Sequence, residues 1–170
     1  MVRPTSSRQQ PIRVAAYCCP VISIRPATEA DAPALASIAV AAYQHYVPRI
    51  GRPPAPMTAD YPAAIGRGQA WVAAVDGEVA GFIILISQPG YLLLENVAVL
   101  PAAQGRGIGA RLLALAEDCA RALGVPEIRL YTNSAMTENL AYYPSTGTPR
   151  STATSRPAST MSSSANRWTP

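Results

Sequence analysis

Residues 92–113 read LLLENVAVLPAAQGRGIGARLL, and this stretch decides the fold. Residues 92–99 are apolar apart from Glu95 and Asn96, a length and composition that favour a strand buried on both faces. After a short turn the apolar residues recur at three- and four-residue steps, which predicts a helix that Gly124 and Pro126 end. The chain is therefore predicted to pass from a buried strand through a glycine-rich crossing into a long helix.

Three alternating glycines, Gly105, Gly107 and Gly109, stand where that helix begins. The first N–H groups of a helix have no partner inside it and carry the positive end of its dipole. A backbone without side chains lets a phosphate accept several of these N–H groups, and Arg106 adds a positive charge. Each dipole contact contributes only about 0.3–1 kcal/mol, so several donors must converge on one diphosphate. The alternative is a tight turn without a ligand.

The spacing of the glycines separates three phosphate-binding patterns. A Walker loop requires a lysine, and the chain has none. A dinucleotide fold places G-x-G-x-x-G directly after the strand, whereas this chain has G-x-G-x-G after four intervening residues. Gln104–Gly109 instead fits Q/R-x-x-G-x-G/A and resembles the acetyl-CoA pyrophosphate loop of the GCN5-related N-acetyltransferases (the GNAT family).

The resemblance covers about residues 21–143 and implies an α/β fold with a mixed sheet, of the GNAT acyl-CoA N-acyltransferase type. It also implies acetyl-CoA as co-substrate, with the diphosphate on the glycine-rich loop and the pantetheine arm lying beside the central strand like an added strand. The cofactor-binding residues implied are Val97, Ala98, Val99, Gln104, Gly105, Arg106, Gly107, Ile108, Gly109, Ala110 and Asn133.

The resemblance further implies transfer of an acetyl group to an amine, which requires removal of a proton from the acceptor. Glu95 is the candidate general base: burial in an apolar strand would raise the pKa of its carboxyl, or it would act through water. Tyr143, in a segment that resembles the last helix of the family, is the candidate acid for the departing thiolate. Tyr142 is the alternative, and a core aromatic is the structural alternative for either.

The family's variable acceptor region corresponds to an aromatic and proline-rich segment after residue 42. Tyr43, Tyr46 and Arg49 are candidate substrate contacts, together with His45 and Arg52. A proline-stiffened surface connection is the alternative. The expected acceptor is a small-molecule or peptide amine, and the sequence leaves its identity and a homodimer open.

Composition excludes several other classes. The net charge of +4 comes from arginine alone, and no arginine cluster with interleaved aromatic residues indicates nucleic acid. Three cysteines form neither a disulfide framework nor a metal motif, and with one histidine no metal site is expected. No stretch reaches the roughly 18 apolar residues of a membrane span. These features predict a cytoplasmic protein without metal, nucleic-acid or membrane partners.

The remaining segments complete the predicted organisation. Ala70–Val75 and Glu78–Ser87 are predicted strands joined by a two-residue Asp76-Gly77 turn. Residues 1–20 are predicted to be a flexible extension and residues 144–170, rich in Ser, Thr and Pro, a disordered tail without a strand. The last strands of the family are thus expected to be missing or replaced. Either the tail is genuine, or it results from a shifted reading frame and the protein is a catalytically impaired acyl-CoA-binding relative.

Overall fold

The computed structural model describes residues 21–133 and 163–168, which contain one mixed sheet of six strands in sequential order. The strands are β1 (Ile22–Pro26), β2 (Ala70–Val75), β3 (Glu78–Gln88), β4 (Tyr91–Val99), β5 (Ile128–Asn133) and β6 (Ser163–Trp168). The described helices are α1 (Ala32–Tyr43), α2 (Val47–Ile50), α3 (Tyr61–Gly66) and α4 (Ile108–Leu123). Of the strand pairs, β4 and β5 alone are parallel, because α4 crosses over between them. The predicted α/β architecture with a mixed sheet is confirmed.

Two hydrophobic clusters cover the two faces of the sheet. On one face, Ile108 and Leu112 of α4 pack with Leu92 and Leu94 of β4. On the other face, α1 and α3 pack against a second set of strand residues that includes Phe82 and Ala98. The central strands therefore have apolar residues on both sides, as their nearly continuous apolar sequence predicted.

The turn between β2 and β3 has the backbone that its sequence predicted. Asp76 has φ 51° and Gly77 has φ 92°. Positive φ at both central residues is the conformation of a type I′ turn, which matches the twist of a β-hairpin. The Asp76-Gly77 prediction is confirmed.

The chain enters α1 through an ion pair between the buried Asp31 and the exposed Arg25. The Asp31 carboxylate accepts hydrogen bonds from two Arg25 nitrogens at 2.7 and 2.9 Å and from the Thr28 backbone N–H at 2.7 Å. The hydrogen bond from Arg25 is the main cause that holds the pKa of Asp31 well below its usual range. Asp31 is consequently a charged structural residue that ties β1 to the start of α1.

Part of the tail belongs to the sheet. Ser163–Trp168 pair antiparallel with β5 along its whole length, from Ile128↔Trp168 to Asn133↔Ser163. The prediction of no strand after residue 143 is wrong for these six residues, because an edge strand is held by backbone hydrogen bonds and needs little apolar burial. The predicted helix at 137–143 lies outside the described residues, as does the rest of the tail, and the domain boundaries stay a prediction.

The described residues contain neither a membrane-spanning helix nor a metal-binding cluster. Within residues 21–133 and 163–168, no helix is long and apolar enough to cross a bilayer. The same residues contain no group of three or more His, Cys, Asp or Glu side chains placed to hold a metal ion.

Candidate functional site

A β-bulge in β4 sets the geometry of the site. Leu94 pairs with Leu85 and Asn96 pairs with Ile84, so Glu95 is an extra residue without a partner on β3. Leu92 and Leu94 lie against α4 before the bulge, and Val97 and Val99 do so after it. Because of the extra residue, Val97 and Val99 lie on the α4 face of the sheet, and Asn96 lies on the α1 face.

Glu95 and Asn96 have opposite environments. Glu95 is exposed, so the expectation that it is buried in the apolar strand is wrong. Asn96, which the sequence analysis did not single out, is 6% exposed. Both stand out as polar residues in an apolar strand, and only the register across the bulge decides which one is buried.

The far half of β4 has an open edge toward β5. Pairing between the two strands stops at Leu94↔Leu130, although β4 continues to Val99. Among the described residues, no strand pairs with Val97–Val99 on that side. The two strands separate after Leu94, and this leaves a stretch of backbone that an extended ligand fits.

The peptide groups of Val97 and Val99 face this open edge. The Leu100 N–H donates to the Ala80 carbonyl at 2.8 Å, which makes these two residues a hydrogen-bonded pair. Such pairs alternate along an antiparallel ladder, so Ala98 faces β3 while Val97 and Val99 point their N–H and C=O groups away from it.

Side chains already bond the two carbonyls on this edge. The Tyr43 hydroxyl donates to the Val97 carbonyl with an O···O distance of 2.9 Å. The Gln104 side-chain amide donates to the Val99 carbonyl at 3.3 Å. Each of these carbonyls therefore has one acceptor site engaged, and the edge presents the N–H groups of Val97 and Val99 to a ligand.

A buried polar network supports Tyr43. Its hydroxyl lies 2.8 Å from Oδ1 of Asn96, whose Nδ2 donates to the Tyr61 hydroxyl at 3.3 Å, and Tyr61 donates to the Pro56 carbonyl. Tyr43, Asn96 and Tyr61 are 7%, 6% and 2% exposed. Burial raises the pKa of Tyr61, so this hydroxyl stays protonated and remains a donor.

The glycine-rich loop has a left-handed backbone at two positions. Gly105 has φ 75° and Gly107, directly before α4, has φ 78°. A Cβ at either position would meet no atom within 4 Å, so glycine is required here by the backbone and not by packing. The space around the first N–H groups of α4 is open to a ligand.

Gly81 of β3 allows α4 to begin close to the sheet. A Cβ at this position would lie 3.0 Å from the Ala98 carbonyl oxygen and 3.1 Å from Cγ2 of Ile108. Ile108 itself is 1% exposed. The start of α4 is thus packed directly over the strands that form the open edge.

These features meet in one cleft of about 550 Å³ between the end of α1, the open edge of β4 and the start of α4. Among predicted cofactor-binding and substrate residues, the cleft brings together Tyr43, Tyr46, Val97, Ala98, Val99, Gln104, Gly105, Gly107, Ile108 and Gly109. His45, a further candidate substrate contact, also lines the cleft, as do Ala42 and Ala103. The His45 ring lies over that of Tyr46 with a centroid separation of 3.9 Å.

The other predicted site residues lie elsewhere or outside the description. Glu95, Arg106, Ala110 and Arg49 are exposed and do not line the cleft. Asn133 is the last residue of β5, and its side chain lies outside the described part. Tyr142 and Tyr143 fall in the segment that the structure does not describe.

Comparison with known proteins identifies a family. The family model described as "Acetyltransferase (GNAT) family" matches residues 33–147, more than half of the chain. No curated protein sequence matches the chain.

Solved structures share the fold. The PaiA N-acetyltransferase of Thermoplasma acidophilum, solved with coenzyme A, has a TM-score of 0.74 at 20% identity and covers 88% of this chain and 99% of its own. The ribosomal-protein-S18-alanine N-acetyltransferase of Escherichia coli has a TM-score of 0.61 at 23% identity, covering 86% and 91%. YncA of Salmonella typhimurium, a putative acetyltransferase solved with acetyl-CoA, has a TM-score of 0.62 at 20% identity, also covering 86% and 91%.

Proposed function

Because the chain belongs to the GNAT family of acetyltransferases, we propose that it transfers the acetyl group of acetyl-CoA to a primary amine by direct attack. The observation that carries this proposal is the open edge of β4, which lies in one cleft with the glycine-rich loop and the start of α4. An extended amide chain ending in a diphosphate has the shape and the hydrogen-bonding groups that this combination requires.

In this proposal the loop and the start of α4 bind the diphosphate. The backbone N–H groups of residues 105–110 supply the donors, Arg106 adds charge from the rim, and Gln104 shapes the loop by its bond to Val99. The pantetheine arm lies along Val97–Val99, with Asn133 of β5 as a further partner. The coenzyme A and acetyl-CoA in the PaiA and YncA structures support the choice of ligand.

The reaction requires the acceptor nitrogen to lose protons and the departing sulfur to gain one. A lysine-like amine with a pKa of about 10.4 is mostly protonated at pH 7, and freeing its lone pair costs about 4.6 kcal/mol. We assign Glu95 as the base, acting through water because it is exposed. The neutral amine nitrogen then bonds the acetyl carbon and loses its second proton to water, the carbon–sulfur bond breaks, and Tyr143 protonates the departing thiolate.

The acceptor enters at the aromatic end of the cleft. Tyr43 and Tyr46 line this end, with Arg49 in the short helix α2 that follows. We propose a small-molecule or peptide amine as acceptor, and a cytoplasmic enzyme that acts alone or as a homodimer.

A binding and a turnover measurement test this function. Calorimetric titration should give saturable binding of acetyl-CoA and none of ATP or NAD at the same concentrations. Thiol release from acetyl-CoA should then rise with at least one member of a panel of amino acids, polyamines, aminoglycosides and peptides. No binding of acetyl-CoA would refute the proposal. Binding without thiol release for any amine would favour the second candidate function, an impaired acyl-CoA-binding protein. The Ser-, Thr- and Pro-rich composition of residues 144–170 is the observation that suggests this second candidate.

A further inference from the structure

In the polar network beneath the cleft, the donor and the acceptor of each hydrogen bond can be assigned in one way only. A carbonyl oxygen only accepts hydrogen bonds, so the Tyr61 hydroxyl must give its proton to Pro56. Tyr61 can then only accept from Asn96, which turns the amide nitrogen of Asn96 toward Tyr61 and its oxygen toward Tyr43. Tyr43 therefore faces two acceptors, Oδ1 of Asn96 and the Val97 carbonyl, and its single proton is shared between them.

The direction of these hydrogen bonds determines what the Val97 carbonyl presents at the open edge of β4. The Val97 carbonyl would otherwise present a partial negative charge to the cleft at the same strand position as the Val97 N–H. The Tyr43 proton lies against that carbonyl instead, at an O···O distance of 2.9 Å. Asn96 and Tyr61 hold the tyrosine oxygen in place from the buried side.

We propose that Tyr43 is a positioning residue that makes the edge of β4 at Val97 a hydrogen-bond donor surface for the thioester carbonyl of acetyl-CoA. The inference rests on the proposed function and adds a role for a residue that sequence resemblance suggested only as an acceptor contact. Charge that develops on the thioester oxygen during attack is stabilised by fixed N–H donors, and a bare carbonyl beside them would oppose it. Tyr43 acts on the reaction through Val97.

The test isolates the thioester oxygen. S-ethyl-CoA, a thioether, has a CH₂ group where acetyl-CoA has its carbonyl and is otherwise the same size. Calorimetry should show that the wild-type chain prefers acetyl-CoA to S-ethyl-CoA. Tyr43→Phe, which bares the Val97 carbonyl, should reduce that preference about 2- to 10-fold, the range expected for one hydrogen bond. It should also lower kcat, with a smaller effect on the KM of the amine.

Tyr61→Phe is the matched control, because it removes a buried hydroxyl from the same network without touching the Val97 carbonyl. It should lower thermal stability and reduce the preference for acetyl-CoA less than Tyr43→Phe does, because the Tyr43 hydroxyl stays on the Val97 carbonyl. An unchanged preference in folded Tyr43→Phe, or an effect on the KM of the amine alone, would overturn the proposal. If Tyr43→Phe does not fold, the wild-type comparison decides: equal affinity for the two ligands refutes the inference. Failure of both ligands to bind would refute the proposed function instead.

Discussion

Replacing Gly81 with alanine tests how tightly the start of α4 is packed on the sheet. The new Cβ would lie 3.0 Å from the Ala98 carbonyl oxygen and 3.1 Å from Cγ2 of Ile108. Optimal contacts between carbon atoms are about 3.5–4.0 Å, so one or both neighbours must retreat by roughly half an ångström. Ala98 is fixed in the ladder with β3, which leaves Ile108 and the first turn of α4 to move.

The size of the effect follows from overpacking a buried site. Extra methyl groups in well-packed cores cost about 1–3 kcal/mol, and Gly81 lies between two buried groups. We expect Gly81→Ala to lower the free energy of unfolding by this amount in urea titrations. Because Ile108 follows Gly107 directly, the shift should also move the glycine-rich loop and weaken acetyl-CoA binding several-fold.

Gly66→Ala is the matched control. Gly66 ends α3, and a Cβ there would meet nothing within 4 Å. The same substitution should leave stability unchanged or raise it by up to about 1 kcal/mol, the helix-propensity difference. If Gly81→Ala matched wild type in stability and in affinity for acetyl-CoA, the packing of α4 on the sheet would accommodate a methyl group, and the reasoning would be refuted.

Three further outcomes are expected. Gly107→Asp places a side chain on a left-handed residue and a negative charge in the diphosphate site, so a folded variant should lose calorimetric affinity for acetyl-CoA; unchanged affinity would contradict the assignment. Glu95→Gln should slow acetylation without weakening acetyl-CoA binding, and full turnover across pH 6–9 would show that the base lies elsewhere. The pKa of Asp31 is lower in the folded than in the unfolded chain, so its stabilisation is complete above about pH 4 and is lost as pH falls from there through the folded value. Asp31→Asn should therefore be less stable than wild type at pH 7, and the difference should shrink toward pH 2 in denaturant titrations; a constant difference would argue against the ion pair.

The sequence predicted those parts of the fold that depend on local backbone chemistry. The Asp76-Gly77 turn has the positive φ values its residues favour, and α4 ends at the left-handed Gly124. Helix α3 begins at Tyr61, because the Asp60 side chain accepts the Ala63 N–H and caps the helix there. Thr58 and Asp60 are both of the residue types that cap helices, so the first residue of α3 does not follow from the sequence alone.

The candidate site was predictable only in part, for a different reason. The glycine-rich loop is contiguous in sequence, and all of residues 104–109 except Arg106 line the cleft. The bond between Tyr43 and Asn96 joins residues 53 positions apart, and no spacing rule reaches that far. The choice between Glu95 and Asn96 depended on strand register, which two adjacent polar residues leave undetermined.

The bulge at Glu95 also bears on which length variants of the chain would fold. Leu94 and Asn96 already face opposite sides of the sheet, as adjacent residues do in a regular strand. Deleting Glu95 would therefore leave all the remaining side chains of β4 on their present faces. What the deletion removes is the local twist that a bulge adds, and with it a reason for β4 to diverge from β5 after Leu94. We expect such a shortened chain to keep its core while the parallel ladder extends toward Val99 and closes the groove. One residue that the core does not need then separates a packed sheet from a sheet that can receive a ligand.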